Sequence, residues 1–336
     1  MILILDEPTN FLDENHIEWL QRFLQNYENA FILVSHDIPF LNSVTNVIYH
    51  IENAILTRYT GSYEYFQEMY ALKKRQVEQA YKKQQKEIAD LEDFIARNKA
   101  RVATTNLAKD RQKKLDRMEI IEIAREKPKP VFSFKEGRTP AREVIRVKDL
   151  VIGYDEPLTR TLNFSVERNQ KIAIKGVNGL GKSTLLKTLL GHLKPVAGEV
   201  EKGQFVEVGY FRQEEEAKSI TALDEIWNEF PSWTNGEVRS ALAKCGLTTD
   251  HITSQMKVLS GGENAKVRLC KLMNRNINFL VMDEPTNHLD VDAKEELKKA
   301  IREFKGTVLL VSHEPDFYMD VVTDVWNVED WTTKII

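Results

Sequence analysis

The chain of 336 residues is 42% hydrophobic and 29% charged, a composition typical of a globular protein long enough for two domains. Its net charge of −4 does not by itself indicate a nucleic-acid partner, and its two cysteines are too few for a disulfide framework or a zinc cluster. No apolar run approaches the ~20 residues of a membrane span, so we expect a cytoplasmic protein with no membrane partner.

A repeat divides the chain into two related modules. The segment LDEPTNFLD, which begins at Leu5, recurs as MDEPTNHLD from Met282, and LVSHD, which begins at Leu33, recurs as LVSHE from Leu310. A whole domain's length of sequence precedes the second acidic pair, whereas five residues precede the first. We therefore expect the C-terminal part of a truncated first module, then a linker, then a complete second module.

Residues 1–60 predict the end of an α/β module. Short apolar runs at 1–5 and 30–34 predict buried parallel strands, and residues 13–27 between them predict a helix. The alternating segment 47–57 predicts a strand or a hairpin.

Residues 61–130 predict a charged helical hairpin. Residues 63–97 contain no Gly or Pro, and a seam recurs at steps of four and three residues, formed by Val77, Tyr81, Gln84, Ile88, Leu91 and Ile95. The pattern breaks at 98–106 and resumes over 107–126, with Leu115, Met118 and Ile121 as its seam. Two antiparallel helices with a tip near 98–106 follow, and Pro128 and Pro130 end the second.

Residues 131–336 predict a complete α/β domain on a largely parallel sheet. Strand-like segments at 172–174, 206–208, 279–282 and 308–311 alternate with helical segments. The stretch 219–274 is rich in helix signals and predicts a helical subdomain.

The segment Gly176–Ser183 fits the phosphate-loop pattern G-x-x-x-x-G-K-[ST], between a predicted strand at 171–175 and a predicted helix at 183–190. Its glycines let backbone N–H groups converge on phosphate oxygens, Lys182 supplies a charge for the β- and γ-phosphates, and Ser183 offers its hydroxyl to Mg²⁺. A glycine-rich turn before a helix is the alternative. The segment predicts a P-loop NTPase that binds ATP and Mg²⁺ through Gly176, Asn178, Gly179, Gly181, Lys182, Ser183 and Thr184.

Two carboxylates follow the apolar run at 279–282. Asp283 is a candidate Mg²⁺ ligand, and Glu284 is placed to polarise an attacking water. The alternative is a pair of surface acids at the end of a strand.

A lone histidine after a strand is more often structural, but His36 and His313 follow their acidic pairs at the same spacing. This repetition favours a role at the γ-phosphate. The first module contributes Asp6 as a metal candidate, and Glu7 and His36 as catalytic candidates.

The segment from Ser260 through Gly261 and Gly262 to Glu263 opens another predicted helix. Its helix terminus can hold an anion, although S-G-G-E is also an ordinary N-cap sequence.

Together these motifs resemble the ATP-binding cassette family. The two modules around a charged hairpin, and the phrase Asp-Glu-Pro-Thr-Asn-x-Leu-Asp present twice, resemble its subfamily F (ABC-F). By position, Gln213 corresponds to the family's lid glutamine, a nucleotide and metal contact, and Tyr154 to the aromatic residue that stacks on adenine.

The resemblance implies two cassettes that close head-to-tail on two ATP molecules, each site pairing one phosphate loop with the other S-G-G motif. It also implies a ribosome partner, with the hairpin directed at rRNA and the P-site tRNA, in translation regulation or antibiotic resistance by ribosome protection. The chain departs from the family because its first module lacks a phosphate loop and an S-G-G motif. We therefore expect weak activity alone, and completion of the sites by the missing N-terminal region or by a second copy.

The hairpin tip is basic. Between residues 97 and 117 only Asp110 and Asp116 oppose a set of eight basic residues, Arg97, Lys99, Arg101, Lys109, Arg111, Lys113, Lys114 and Arg117. This asymmetry predicts an RNA-facing element, and a solvated helical face is the alternative.

Three other functions fit parts of the sequence. The ATPase subunit of a membrane transporter would explain the cassettes but not the hairpin between them. A DNA-repair or chromosome-maintenance ATPase would more commonly carry its coiled coil inside a single cassette. An inert remnant is the non-enzymatic alternative.

Overall fold

The computed structural model describes residues 2–10, 12–52, 54–98, 105–121, 128–154, 156–212 and 218–333. These residues form two compact units, one made of residues 1–36 with 127–336 and the other of residues 37–126. Among the described helices, none is both long and apolar enough to cross a membrane. The helices and strands are, in chain order, β1 Leu3–Asp6, α1 Glu14–Gln25, β2 Phe31–Val34, α2 Ile38–Val44, β3 Val47–Glu52, β4 Ile55–Thr60, α3 Tyr63–Asn98, α4 Thr105–Asp116, β5 Glu143–Val151, β6 Leu162–Glu167, β7 Lys171–Lys175, α5 Lys182–Leu189, β8 Ala197–Lys202, β9 Val208–Phe211, α6 Ala222–Glu229, α7 Asn235–Lys244, α8 Thr249–Thr253, α9 Gly261–Asn274, β10 Phe279–Asp283, α10 Val291–Glu303, β11 Thr307–Val311, α11 Pro315–Tyr318 and β12 Asp324–Asn327.

A five-stranded parallel sheet organises the larger unit, with strand order β12-β7-β11-β10-β9. Two neighbouring strands inside this sheet, β10 and β11, are buried at every position. Because successive side chains point to opposite faces, Phe279 and Val281 enter one core, whereas Leu280 and Met282 enter another. The unbroken apolar runs in the sequence therefore correspond to a sheet covered on both faces.

Each face of this sheet has its own layer. On one face the core includes helix α5 and the antiparallel sheet β6-β5-β8. On the other it includes helices α6 to α10. This arrangement is the predicted α/β cassette fold with its helical subdomain.

One predicted strand is shifted along the chain. We expected it at 206–208, but β9 begins at Val208, opposite Phe279. Asn278 explains the shift, because its side chain accepts from the Glu207 N–H at 2.8 Å and its own N–H donates to the Glu207 carbonyl at 3.0 Å. The Glu207 carbonyl also accepts from the Phe279 N–H at 3.1 Å, and the residue pairing of the parallel ladder starts at the next residue, Val208.

The first 36 residues form a small parallel pair, β1 with β2, that carries α1. The predicted strands and helix are confirmed, but the prediction that the strands are buried is wrong for one face. Ile4 is 72% exposed and its partner Ile32 is 57% exposed, whereas the alternate residues are half-buried. In the described residues no second layer covers the face of Ile4 and Ile32.

The smaller unit begins with α2 and the predicted hairpin β3–β4, and continues into α3. Phe66, near the start of α3, is buried against the rings of His50, Tyr59 and Tyr70. This aromatic packing fixes the base of a helix of 36 residues, which at ~1.5 Å per residue is about 54 Å long.

Helix α4 returns antiparallel along α3. Gln84 contacts the backbone at 119 and 121, and Lys114 pairs with Glu87. Residue numbers therefore rise along one segment as they fall along the facing one, as in an antiparallel pair. Leu91 and Ile95 are buried in the predicted seam. The second helix is shorter than predicted, because it ends at Asp116, and the Gln84 amide then bonds the non-helical backbone that follows.

Candidate functional site

The predicted phosphate loop connects β7 to α5, as the motif requires. Gly176, Gly179 and Gly181 have φ of +136°, +80° and +98°, in a region that side chains disfavour. Gly181 caps α5 without any side-chain hydrogen bond to the first turn. The N–H groups at this helix start are therefore left for a ligand, and an anion suits their partial positive charge.

Lys182 turns back into this loop. Its ammonium donates to the carbonyls of Gly176 at 2.6 Å and Val177 at 3.2 Å, and to Asn178 Oδ1 at 3.1 Å. Burial lowers the pKa of Lys182, while the charges of Glu284 and Asp283 raise it. Within the described residues the Lys182 ammonium donates to neutral oxygens alone, and a buried cation held in this way is suited to an anionic ligand, which would replace some of those bonds.

Asp283 ends the buried strand β10 beside the loop. Burial raises the pKa of its carboxyl, opposed by a hydrogen bond from Ser183 and by the charges of Lys187 and Lys182. The predicted metal candidates Ser183 and Asp283 are therefore in direct contact. Oxygens of this type are the ligands that Mg²⁺ prefers.

Glu284 and His313 meet next to the loop. His313 Nε2 lies 3.1 Å from Glu284 Oε1 and 2.9 Å from Asn178 Oδ1. Burial, with the charge of Lys182, lowers the pKa of His313 to about 4, so the ring is neutral at pH 7. Because two oxygens face Nε2, the ring proton belongs on that nitrogen.

Glu284 is poised to exchange a proton near neutral pH. Burial raises its pKa to about 7; the charge of Lys182 opposes this shift, and those of Asp283 and Glu314 add to it. A carboxylate with this pKa suits general base catalysis at physiological pH. The backbone of Glu284 is also held at φ +48°, a conformation that residues other than glycine rarely adopt.

Two buried oxygens, Asp283 Oδ1 and Thr286 Oγ1, have no hydrogen-bond partner within the described residues, and Glu284 Oε1 has only the 3.1 Å approach of His313 Nε2. An unpartnered buried polar atom costs about 1–3 kcal/mol. Their grouping beside Lys182 and Ser183 fits a site completed by a hydrated Mg²⁺ ion and a phosphate.

Asp13 also reaches the phosphate loop, and sequence reasoning assigned it no role. The side chain is 2% exposed, and its Oδ2 accepts from the Asn178 N–H at 3.2 Å while its Oδ1 caps α1 through the His16 N–H at 3.0 Å. Its counterpart Asp290 caps α10 and pairs with Lys266 instead. The repeat contained both residues, but only the first lies against a phosphate loop.

The first-module candidates repeat part of this geometry. Glu7 has φ +44°, close to that of Glu284, and its carboxylate lies 3.5 Å from His36 Nε2. Asp6 and His36 are exposed, in contrast to the buried Asp283. The pairing of acid and histidine is thus common to both modules, and the enclosure is not.

The S-G-G-E residues lie elsewhere in the larger unit. Ser260 and Glu263 form a reciprocal capping box at the start of α9, and Glu263 also lies 3.2 Å from His251 Nε2. A Cβ on Gly261 or Gly262 would approach His288 to within 3 Å. Within the described residues Glu263 contacts His251, and the two glycines lie against His288 and not against Lys182.

The remaining predicted nucleotide contacts are only partly described. Tyr154 lies in the turn after β5, with 62% of its surface exposed. Thr184 is buried in the first turn of α5. Gln213 lies outside the described residues.

The tip cations of the smaller unit are arranged along two helices. Arg97 pairs with Asp93 at 2.6 Å, Lys114 pairs with Glu87 at 2.6 Å, and the Arg111 guanidinium lies 6.0 Å from the Phe94 ring centroid. Such exposed pairs are worth about 0–1 kcal/mol each, so a stronger anion can replace them. Lys109 is exposed and Lys113 lies 3.9 Å from Asp110, whereas Lys99 and Arg101 are outside the described residues.

Comparison with known proteins gives two family matches, both described as ABC transporter, one over residues 159–287 and one over residues 49–134. The chain is 64% identical over 336 residues to the uncharacterized ABC transporter ATP-binding protein YfmM of Bacillus subtilis, and covers 65% of its length. It is 37% identical over 343 residues to ABC transporter F family member 5 of Arabidopsis thaliana, covering 98% of this chain and 49% of the relative. The chain therefore spans about half to two thirds of the length of these relatives.

Among solved structures, RNase-L Inhibitor aligns with 96% of the chain and 57% of its own length, at a TM-score of 0.56 and 19% identity. At that identity the likeness concerns the fold alone.

Proposed function

The chain is an ABC protein with an ATP-binding cassette, and from this premise we propose that it is an ATPase of the ABC-F type that acts on the ribosome. The observation that carries the enzymatic part is the enclosed cluster of Lys182, Ser183, Asp283, Glu284 and His313. The part that concerns the ribosome rests on the hairpin, on the repeated Asp-Glu-Pro-Thr-Asn-x-Leu-Asp phrase, and on the similarity to an F family member.

In this proposal each residue of the cluster has a defined task. Lys182 and the N–H groups of the glycine loop hold the β- and γ-phosphates. Ser183 and Asp283 hold Mg²⁺, which when bound neutralises charge on the transferred phosphoryl group. Glu284 accepts the proton of the attacking water, since its pKa of about 7 matches the working pH.

His313 acts through its neutral ring. With its proton on Nε2 it donates to Asn178 Oδ1 in this structure, and it can redirect that proton to a γ-phosphate oxygen when ATP binds. Asp13 supports the loop from the first module, because its carboxylate anchors the Asn178 N–H. A glycine-rich turn that bound no phosphate would need neither the contact of His313 nor that of Asp13.

For the hairpin, the proposal is contact with rRNA and with the P-site tRNA through phosphates. Its cations lie on a helix of 36 residues that carries them far from the helix base. Few aromatic side chains are interleaved with them, which favours backbone contact over reading of bases.

The test is sedimentation with ribosomes, with and without ATP, using the full chain. Glu284→Gln should accumulate on ribosomes with ATP, because binding is retained and hydrolysis is slowed. The hairpin variant, which should pellet poorly while still binding ATP, replaces the following residues with Gln: Arg97, Lys99, Arg101, Lys109 and Arg111. A wild-type chain that does not pellet with ribosomes would refute the ribosome assignment, and equal pelleting of wild type and the hairpin variant would refute the proposed role of the hairpin.

The alternative is the ATPase subunit of a membrane transporter, which the description of both matching families favours. It predicts recovery of the chain with membrane vesicles and none with ribosomes. It also leaves the 36-residue helix and its cations without a task.

A further inference from the structure

A histidine of the first module, His16, lies behind the contact that Asp13 makes with the phosphate loop. Asp13 is the N-cap residue of α1, and His16 belongs to the first turn of that helix. The ring nitrogen Nδ1 of His16 lies 2.5 Å from Asp13 Oδ1, which also accepts from the His16 backbone N–H at 3.0 Å. His16 therefore holds one carboxylate oxygen of Asp13 with both its backbone and its ring.

The other oxygen of this carboxylate contacts the phosphate loop. Asp13 Oδ2 accepts from the Asn178 N–H at 3.2 Å. Burial raises the pKa of Asp13, but hydrogen bonds from His16 and Asn178 outweigh it and lower the pKa overall. Asp13 is therefore ionised at neutral pH, and its bond to the loop is charge-assisted. Because Oδ1 is held by His16, the carboxylate is hindered from rotating away from the loop.

Asn178 connects this anchor to the part of the site where we place the γ-phosphate. Its side-chain Oδ1 accepts from His313 Nε2 at 2.9 Å and from the Lys182 ammonium at 3.1 Å. The ammonium also donates to two loop carbonyls, whereas Nε2 of His313 has two described acceptors, Asn178 Oδ1 and Glu284 Oε1. A displaced Asn178 should therefore disturb His313 more than Lys182.

The second module caps its helix without such a histidine. Ala293 stands where the first module has His16, and Asp290 stands where it has Asp13. Asp290 still accepts from the Ala293 N–H at 2.8 Å, but its Oδ2 pairs with Lys266 at 2.6 Å. The helix cap is thus common to both modules, and it does not require a histidine ring. The ring of His16 has a separate task.

We propose that His16 is a positioning residue for recognition of the γ-phosphate. It fixes Asp13 against the Asn178 N–H, and Asn178 in turn orients the ring of His313. The inference rests on the proposed function, which places His313 at the γ-phosphate. His16 does not touch the nucleotide itself, so its effect must disappear when residue 13 no longer reaches the loop. The effect must also depend on the γ-phosphate, which ADP lacks.

The experiment is equilibrium dialysis of the full chain with Mg²⁺ and either ADP or an ATP analogue that has an imide bridge between its β- and γ-phosphates. The measured quantity is the ratio of the two dissociation constants, so turnover does not enter. His16→Ala should lower the preference for the analogue about fivefold, the loss expected for one hydrogen bond, while its ADP affinity should change less than about twofold.

Two amide variants separate the hydrogen bond from the bulk of the side chain. In His16→Asn the amide nitrogen stands close to the position of Nδ1, so the bond to Asp13 and the wild-type ratio should be retained. In His16→Gln the amide lies nearer the position of Nε2, and the ratio should fall as in His16→Ala. The control is Glu18→Gln, an exposed position on the same helix, which should match wild type. A fall in His16→Asn as large as that in His16→Ala would overturn the proposal.

A double-mutant cycle tests the route through Asp13. Asp13→Ser keeps a good N-cap residue for α1 but removes the carboxylate that reaches Asn178. Adding His16→Ala to Asp13→Ser should change the ratio less than about twofold, because the two residues act in series. Additive losses would overturn the proposal, as would an unchanged ratio in His16→Ala or an equal loss of affinity for both nucleotides.

These outcomes are distinct from failure of the proposed function. If Lys182→Ala binds both nucleotides as tightly as wild type, the proposed site is wrong and the role of His16 falls with it. If Lys182→Ala loses binding but His16→Ala keeps the wild-type ratio, the site stands and only the role of His16 is overturned.

Discussion

Replacing Glu284 with Gln should stabilise the protein at neutral and alkaline pH, although it removes the proposed catalytic base. The carboxyl is buried, and its pKa is raised from 4.5 to about 7, mainly by burial. A group with a raised folded pKa contributes stability that is complete below its unfolded pKa and is lost as pH rises through its folded pKa. The wild type should therefore lose stability between pH 4.5 and about 7, and Glu284→Gln should not.

The magnitude follows from the shift. A rise from 4.5 to about 7 corresponds to about 3 kcal/mol of differential stability, which is an upper figure. Part of it is offset because Gln no longer attracts the Lys182 ammonium. We expect Glu284→Gln to exceed wild type by about 1–3 kcal/mol at pH 8, and to match it near pH 4.5.

The measurement is thermal unfolding of both proteins at pH 8 and at pH 5, without nucleotide. For a unit of this size 1 kcal/mol raises the midpoint by about 2–4 °C. Glu7→Gln is the matched control, because Glu7 has the same place in the first module but is only half-buried, and its midpoint should stay near wild type. Equal stability of Glu284→Gln and wild type at both pH values would refute the argument that Glu284 is held in a costly environment.

Three further predictions concern catalysis, RNA binding and association. Glu284→Gln should slow phosphate release about 10²-fold or more with ATP affinity retained, and a rate within twofold of wild type would remove Glu284 from the role of base. The log–log salt slope of RNA binding should fall by about 3–5 in the hairpin variant with an unchanged ATP dissociation constant, and an unchanged slope would favour a merely solvated helical face. Ile4→Thr with Ile32→Thr should lower self-association in sedimentation velocity, because these two side chains lie on the exposed face of the β1–β2 pair; wild-type chain that is monomeric at high concentration would contradict this.

The parts of the fold that local signals specify could be predicted from the sequence. The buried runs at 279–282 and 308–311 became central parallel strands, because an unbroken apolar run suits a strand covered on both faces. The phosphate loop formed between a strand and a helix, since its glycines adopt the positive φ that the turn requires. Ser260 and Glu263 formed a capping box, as their spacing allows.

Features that depend on distant partners could not be predicted. Asp13 contacts Asn178, and nothing in either local sequence indicates that pairing. Helix α4 stops at Asp116 although the apolar pattern continues, because Gln84 of the facing helix bonds the backbone beyond it.

The account depends most directly on ATP binding at the loop around Lys182. Equilibrium dialysis with labelled ATP and Mg²⁺ compares wild type, Lys182→Ala, and Lys187→Ala, whose exposed ammonium lies on the same helix. Lys182→Ala removes charged hydrogen bonds worth about 3 kcal/mol, so its affinity should fall ~100-fold, while that of Lys187→Ala should change less than about threefold. Wild-type affinity in a folded Lys182→Ala protein would contradict the placement of the site.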